Sequence, residues 1–241
     1  MPNEHSSLSE RYDAVMERLA AAIKSSGRAR DDVTLVAVSK YHPAESIAAL
    51  AALGHRDFGE NYIQEALTKQ DDLAELGLSW HFIGRLQSNK AKLAAGKFRM
   101  IHTLDSIKLA HTLHKHAEAL AQRQESVGRQ AVLIQVNVGQ EAQKAGVDAD
   151  ELAPLAEAVM DLPSLELSGL MCLPPVFEGP EESRPYFVQL REARDRLRDR
   201  LGLALPHLSM GMSHDFEAAV AEGATMVRVG TDIFGPRPAK A

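Results

Sequence analysis

Between residues 8 and 25 the apolar positions Tyr12, Val15, Met16, Leu19, Ala20 and Ile23 fall at the three- and four-residue intervals of a helix face, and Gly27 stops the run. The rhythm then changes. Residues 33–38 are apolar at nearly every position, the pattern of a strand buried on both faces. This alternation continues, predicting helices over 43–53, 62–76, 88–95, 106–125, 150–161, 180–201 and 214–222, interleaved with strands at 57–59, 80–84, 100–104, 131–138, 165–171, 207–209 and 226–229. Strands alternating with helices at this spacing imply βαβ units and a parallel sheet. Eight such units close into a (β/α)8 TIM barrel, here with an additional N-terminal helix. An open doubly wound sheet is the competing arrangement. The chain has no G-x-G-x-x-G turn after its first strand, which weakens the dinucleotide-binding version of that alternative. Residues 174–184, rich in Pro, Gly and Glu, read as a long surface connection.

Composition narrows the function classes. The 241 residues, 45% hydrophobic and 25% charged, suit one TIM-barrel domain over 1–241 with its core at 8–238. A net charge of −6 argues against a protein that coats nucleic acid, since such binding neutralises phosphates. The single cysteine, Cys172, allows no internal disulfide and fits a reducing compartment. No apolar run approaches the roughly 20 residues of a membrane span. The opening residues lack the pattern of a secretory signal, so the expected location is cytoplasmic, with no membrane partner.

In a barrel the chemistry gathers where the strands end, at their C-terminal edges. Lys40 follows the first strand directly, and an amine in such a mouth either snorkels to water or serves as a Schiff-base former. After strand seven, Ser209 to Ser213 offers small residues at a helix start, and after strand eight come Gly230 and Thr231. The loops after strands seven and eight often hold phosphate in barrels. Each half alone favours a serine cap and a packing glycine; the two together, opposite Lys40, favour an anion site. Arg228 lies between Val227 and Val229, so alternation turns it to the opposite face from the valines. It could donate to a cofactor ring nitrogen, or pair internally with a carboxylate such as Glu60.

These stretches, VAVSK at 36–40, FGEN at 58–61, WHFIGRLQSNK at 80–90, GLM at 169–171, SMGMS at 209–213 with Asp215, VRVGT at 227–231 and IFG at 233–235, make the chain resemble the pyridoxal phosphate homeostasis proteins, relatives of the N-terminal barrel of alanine racemase. The resemblance runs from about residue 8 to 238. His214 is its one mild departure. The resemblance implies pyridoxal 5′-phosphate (PLP) held as an internal aldimine on Lys40. Ser209, Gly211, Ser213, Gly230 and Thr231 would surround the phosphate, Arg228 would face the pyridine nitrogen, and Asn61 would line the ring. His81 and Met212 complete the expected cofactor contacts. The family implies intracellular PLP (vitamin B6) homeostasis by a monomer, with transient transfer to PLP-dependent apo-enzymes and no established turnover.

An arginine at the ring nitrogen favours an unprotonated, weaker electron sink. Alanine racemase shares that arginine but adds a tyrosine from a second domain and partner subunit. The chain ends soon after its last strand, so the expectation is that this acid/base is missing and racemisation is slow or absent. A PLP-dependent amino-acid racemase is the alternative function. A third is a barrel enzyme whose Lys40 forms a Schiff base with a phosphorylated substrate. Among weaker signals, His111, His114 and His116 read as a solvated helix face rather than a metal site. Cys172 reads as a buried small residue rather than a nucleophile. Lys144, in a loop with Glu141 near the same rim, could offer a second amine to a departing aldehyde.

Overall fold

A computed structural model describes residues 6–123, 128–139 and 145–236 of the chain. Its strands are β1 (Thr34–Val38), β2 (Asp57–Glu60), β3 (Ser79–Phe82), β4 (Met100–Leu104), β5 (Gln130–Gln135), β6 (Leu165–Met171), β7 (His207–Met212) and β8 (Met226–Val229). They pair in parallel, each with its sequence neighbours, and β8 closes on β1 with Val36 opposite Arg228. The doubly wound alternative is thereby excluded. The helices are α1 (Leu8–Ser25), α2 (Ala44–Ala52), α3 (Ile63–Asp72), α4 (Ala91–Ala94), α5 (Ile107–Gln122), α6 (Ala149–Met160), α7 (Arg184–Leu201), α8 (Phe216–Ala221) and α9 (Thr231–Phe234).

Period-two alternation divides each strand between two environments. Leu35, Ala37, Phe58, Trp80, Phe82, Ile101, Val132, Ile134, Leu170, Val227 and Val229 pack outward with the apolar stripes of the helices, among them Leu109, Leu113, Leu155, Val159, Phe187 and Leu190. The lumen holds a smaller apolar layer, Met100, Leu133, Met171 and Met226. Each large side chain fully buried in these layers contributes about 1.5–3 kcal/mol, so the barrel wall is set by the outer layer, which is much the larger.

α1 starts on a capping box: the Ser7 hydroxyl accepts from Glu10 N–H, and the Glu10 carboxylate accepts from Ser7 N–H. The helix lies across the ends of α8 and α9. Arg18 bridges to Glu217 and Asp232 at 2.7 Å each and donates to the Ser213 carbonyl at 3.2 Å, while Arg11 donates to the Ile233 carbonyl at 2.8 Å. The added helix thus fixes from outside the two segments that follow β7 and β8.

Several boundaries differ from the sequence reading, among them the strand read over 131–138, which ends at Gln135, and the helices read over 88–95 and 180–201, which open as 3-10 turns. The helix predicted over 62–76 ends at Asp72 and is followed by a 3-10 turn at Ala74–Leu76, which Gly77 terminates in the left-handed region. β7 runs on to Met212 through Gly211, whose φ of 89° is glycine's own territory. Two steps of β8, Met226 to Arg228, there face three of β7, Ser209 to Met212, so the strand carries a bulge. The four-residue α9 was read as loop, because Gly230 and Thr231 carry no helix signal and the element is one turn long.

Candidate functional site

The parity of β1 sets which of its residues line the lumen on the way to Lys40. A Cβ on Gly59, in the lumen wall of β2, would meet Val36 Cγ1 at 2.9 Å, so Val36 faces the lumen, and Val38 and Lys40 follow it at intervals of two. Lys40 is half-buried at the C-terminal edge. Arg228 lies on the next strand at the level of Val36, beneath Lys40. Gly230 lets the end of β8 approach β1: a Cβ there would sit 3.2 Å from the Val38 carbonyl oxygen. Gly230 and Thr231 therefore lie beside the end of β1 that leads to Lys40, not across the mouth from it as the sequence reading had them, with Arg228 lower on the same strand as Gly230.

The backbone on both sides of Lys40 is held by a buried ionic cluster outside the barrel wall. Glu60 shares parity with Phe58, not Gly59, and so turns toward α3. Lys69 of α3 donates to Glu60 Oε1 at 2.7 Å, to Glu65 Oε1 at 2.6 Å and to the Ser39 carbonyl at 2.8 Å. The Ser39 hydroxyl donates to Glu60 Oε1 at 2.7 Å, and Tyr41 N–H donates to Glu65 Oε1 at 2.6 Å. The peptide groups flanking Lys40 are thus both gripped, and Tyr41 is held at a φ of 68° that a non-glycine residue rarely adopts. Burial raises the Glu60 carboxyl above its ordinary value, against the lowering effect of Lys69.

This arrangement overturns one alternative for Arg228. Its partner is not Glu60. Arg228 Nη1 donates to Ser209 Oγ at 2.7 Å and Nη2 to the Cys172 carbonyl at 2.9 Å, deep in the barrel. Burial draws its guanidinium below the ordinary value, yet an arginine stays charged. Ser209 Oγ also lies 2.9 Å from His102 Nδ1, His102 Nε2 lies 2.9 Å from His81 Nδ1, and His81 Nε2 lies 3.1 Å from Asp57 Oδ1. Burial holds His102 well below the ordinary histidine value. Burial alone would raise Asp57, but the hydrogen bond from His81 and the basic groups around it bring the carboxyl below its ordinary value.

The expected contact residues therefore separate into two groups. Lys40, Gly230, Thr231 and the half-buried Ser213 border the mouth, with Arg228 buried below them. His81 is inside the barrel with both ring nitrogens taken by Asp57 and His102, which leaves neither for direct contact with a ligand. Ser209 is fully buried beneath Arg228. Met212 N–H is committed to Asp215 Oδ1 at 2.7 Å. Gly211 serves packing: a Cβ there would come within 2.6 Å of Ala219 Cβ on α8. Asn61, just after β2, presents a buried Oδ1 with no hydrogen-bond partner among the described residues, and its backbone packs so closely on Gly84 that a Cβ there would lie 2.1 Å from the Asn61 carbonyl oxygen.

Cys172 is fully buried and its thiol is pushed up to about 12 by burial, so it stays protonated and unreactive. Among the described residues no group of three or more His, Cys, Asp or Glu side chains gathers to hold a metal. No described helix is long and apolar enough to cross a membrane. Glu141 and Lys144 lie outside the described residues. Sequence reasoning missed His102, Asp57, Lys69 and Glu65. The signal for the first was present, since His102 interrupts β4, a strand buried at every position.

Comparison with known proteins agrees with this architecture. Residues 13–238 match the family model described as alanine racemase, N-terminal domain. The pyridoxal phosphate homeostasis protein of Aquifex aeolicus is 47% identical, over 95% of this chain and 97% of its own length. That of Escherichia coli K12 is 44% identical, over 92% and 94%. Among solved structures, PipY of Synechococcus elongatus PCC7942 with PLP bound superposes with a TM-score of 0.79 at 39% identity, covering 92% of this chain and all, 100%, of its own. Alanine racemase of Corynebacterium glutamicum, at 18% identity and a TM-score of 0.66, shares the fold; the chain spans 62% of its length.

Proposed function

The chain belongs to the pyridoxal phosphate homeostasis protein family, built on the alanine racemase N-terminal domain, and on that premise we propose that it holds PLP at the barrel mouth with Lys40 as the covalent anchor. The observation that carries this reading is the register of the closing strand pair, which sets Arg228 of β8 opposite Val36 on the strand that leads to Lys40, with Gly230 packed against the end of β1. The donor set fits the group. Lys40 supplies an amine, Arg228 a permanent cation with N–H donors and no acceptor, and Ser213, Thr231 and the backbone at Gly230 supply small donors for a phosphate. The unpartnered Asn61 Oδ1 supplies an acceptor for a ligand hydroxyl.

Bound there, PLP supplies an aldehyde that reacts reversibly with amines. The residues of the chain hold and orient it. The Lys69 cluster fixes the backbone at Lys40, and Arg228, unable to give up its proton, keeps the pyridine nitrogen unprotonated. Such a site retains and releases the cofactor in preference to turning over amino acids. We read the whole chain as one PLP-binding unit, a monomer acting in the cytoplasm, with PLP-dependent apo-enzymes as transient recipients.

The test is the absorbance spectrum of the purified protein with added PLP. The wild type is expected to show a protein-bound PLP band that Lys40→Ala abolishes. Failure of the wild type to take up PLP, or an unchanged band in Lys40→Ala, would overturn the reading.

A further inference from the structure

The polar row behind Arg228 crosses the lumen from the end of β8 to the start of β2, and its two ends fix the direction of every hydrogen bond in it. Arg228 can only donate. Its Nη1 takes a lone pair of Ser209 Oγ and leaves the hydroxyl proton to be placed elsewhere. At the other end the Asp57 carboxylate can only accept, so His81 Nε2 carries a proton toward it. A neutral imidazole has one N–H. His81 Nδ1 is then an acceptor, His102 Nε2–H donates to it, and His102 Nδ1 is left to accept from the Ser209 hydroxyl. With both histidines neutral this assignment gives each contact one donor and one acceptor.

The reverse polarity fails whichever charge His81 carries: neutral, it would turn a bare Nε2 to the Asp57 carboxylate, acceptor against acceptor, and protonated on both nitrogens it would still fail at Ser209. Were His81 to donate from Nδ1, His102 would donate from its own Nδ1 to Ser209 Oγ. That oxygen would accept twice, and its proton would lose the acceptor that His102 provides, in a position fully shielded from water. A buried polar hydrogen left in that state costs about 1–3 kcal/mol.

Resting on the PLP site described above, we propose that Asp57, His81 and His102 are positioning residues for the contact between Arg228 and the pyridine nitrogen. They set the Ser209 hydroxyl as a fixed acceptor, so that two of the guanidinium's donors are pinned, to Ser209 and to the Cys172 carbonyl. With two donors pinned, the plane of the guanidinium and the directions of its remaining N–H groups are fixed. None of the three positioning residues touches the cofactor; they act through Ser209. The row does the work that a carboxylate does behind a metal-bound histidine, where a second partner fixes tautomer and ring orientation.

Nitrogen-15 NMR of the histidine rings in the PLP-loaded protein tests the polarity directly. His81 and His102 are both expected as neutral Nε2–H tautomers at neutral pH. An Nδ1–H tautomer or an imidazolium at either position would overturn the proposal. The role is tested with ring-15N PLP and two variants. His102→Asn places an amide near the Nδ1 position and keeps an acceptor for Ser209, so the pyridine resonance is expected where the wild type has it. His102→Leu removes the acceptor, and is expected to move that resonance and to release PLP about tenfold faster, the scale of one oriented hydrogen bond. A merely structural histidine would lower stability in His102→Leu and leave the pyridine resonance in place; that result would overturn the role alone. Failure of the wild type to load PLP would overturn the site reading, and this role with it. The tautomer measurement uses unmodified protein, so it decides even if His102→Leu does not fold.

Discussion

Two buried polar networks flank the barrel mouth, one on each side of the wall, and they solve different problems. The outer one, Glu60, Lys69, Glu65 and Ser39, grips backbone: it holds the Ser39 carbonyl and the Tyr41 N–H around Lys40. The inner one, Asp57, His81, His102 and Ser209, grips a side chain, the Arg228 guanidinium. The outer network is ionic and tight, with Lys69 meeting two carboxylates within 2.7 Å. The inner one is a single file with few formal charges. Anchoring a reactive lysine requires a fixed backbone; aiming an arginine requires a fixed acceptor.

The largest effect expected is at Lys69→Met. Removing one partner from a buried ion pair leaves an uncompensated charge, here two carboxylates, at a cost of about 3–5 kcal/mol. Urea denaturation measures it, and retention of PLP should fall in parallel while the histidine tautomers stay unchanged. A loss below about 1 kcal/mol would show that the cluster is solvated rather than buried. Ser39→Ala comes next. It deletes one hydrogen bond to the ionised Glu60, whose Oε2 already lacks a partner, and should cost about 1.5–3 kcal/mol in the same measurement.

The networks should also differ in the sign of their pH dependence. His102 has a folded-state pKa below its ordinary 6.5. Its stability contribution is therefore present above 6.5 and is lost as pH falls toward the folded value, because the unfolded chain takes the proton first. His55 and His207, lowered chiefly by burial, add in the same direction. Glu60 has a folded-state pKa above its ordinary 4.5, so its contribution is present below 4.5 and is lost as pH rises through the folded value. Urea denaturation at pH 7 and pH 5 should show the wild type less stable at pH 5, a smaller acid loss in His102→Asn, and a larger one in Glu60→Gln. Equal acid losses in all three would break the contrast. The smallest effect is expected at Glu65→Gln. The amide oxygen still accepts from Tyr41 N–H, and the ion pair it loses is partly exposed, so the cost should be about 1 kcal/mol or less.

The barrel was legible because short β-rich runs and amphipathic helices alternate from residue 33 to 229. Lys40 and Arg228 were legible for the same reason: each breaks or ends an apolar run, and their strands become neighbours only when the barrel closes. The partners were not. His102 and Ser209 are 107 residues apart, and nothing in either strand announces the other. Glu60 stood as one of two open partners for Arg228, whereas its parity with Phe58 sends it through the wall to α3. The bulge at Gly211 was hidden as well, since a run of small and apolar residues reads equally as strand or loop. Closure, parity and bulges decide which polar groups meet, and they are properties of the assembled sheet.

Borohydride reduction of the PLP-loaded protein, followed by peptide mass analysis, tests the central claim most directly. The account predicts a stable pyridoxyl adduct on Lys40. An adduct confined to another lysine, or none at all after PLP uptake, would contradict it.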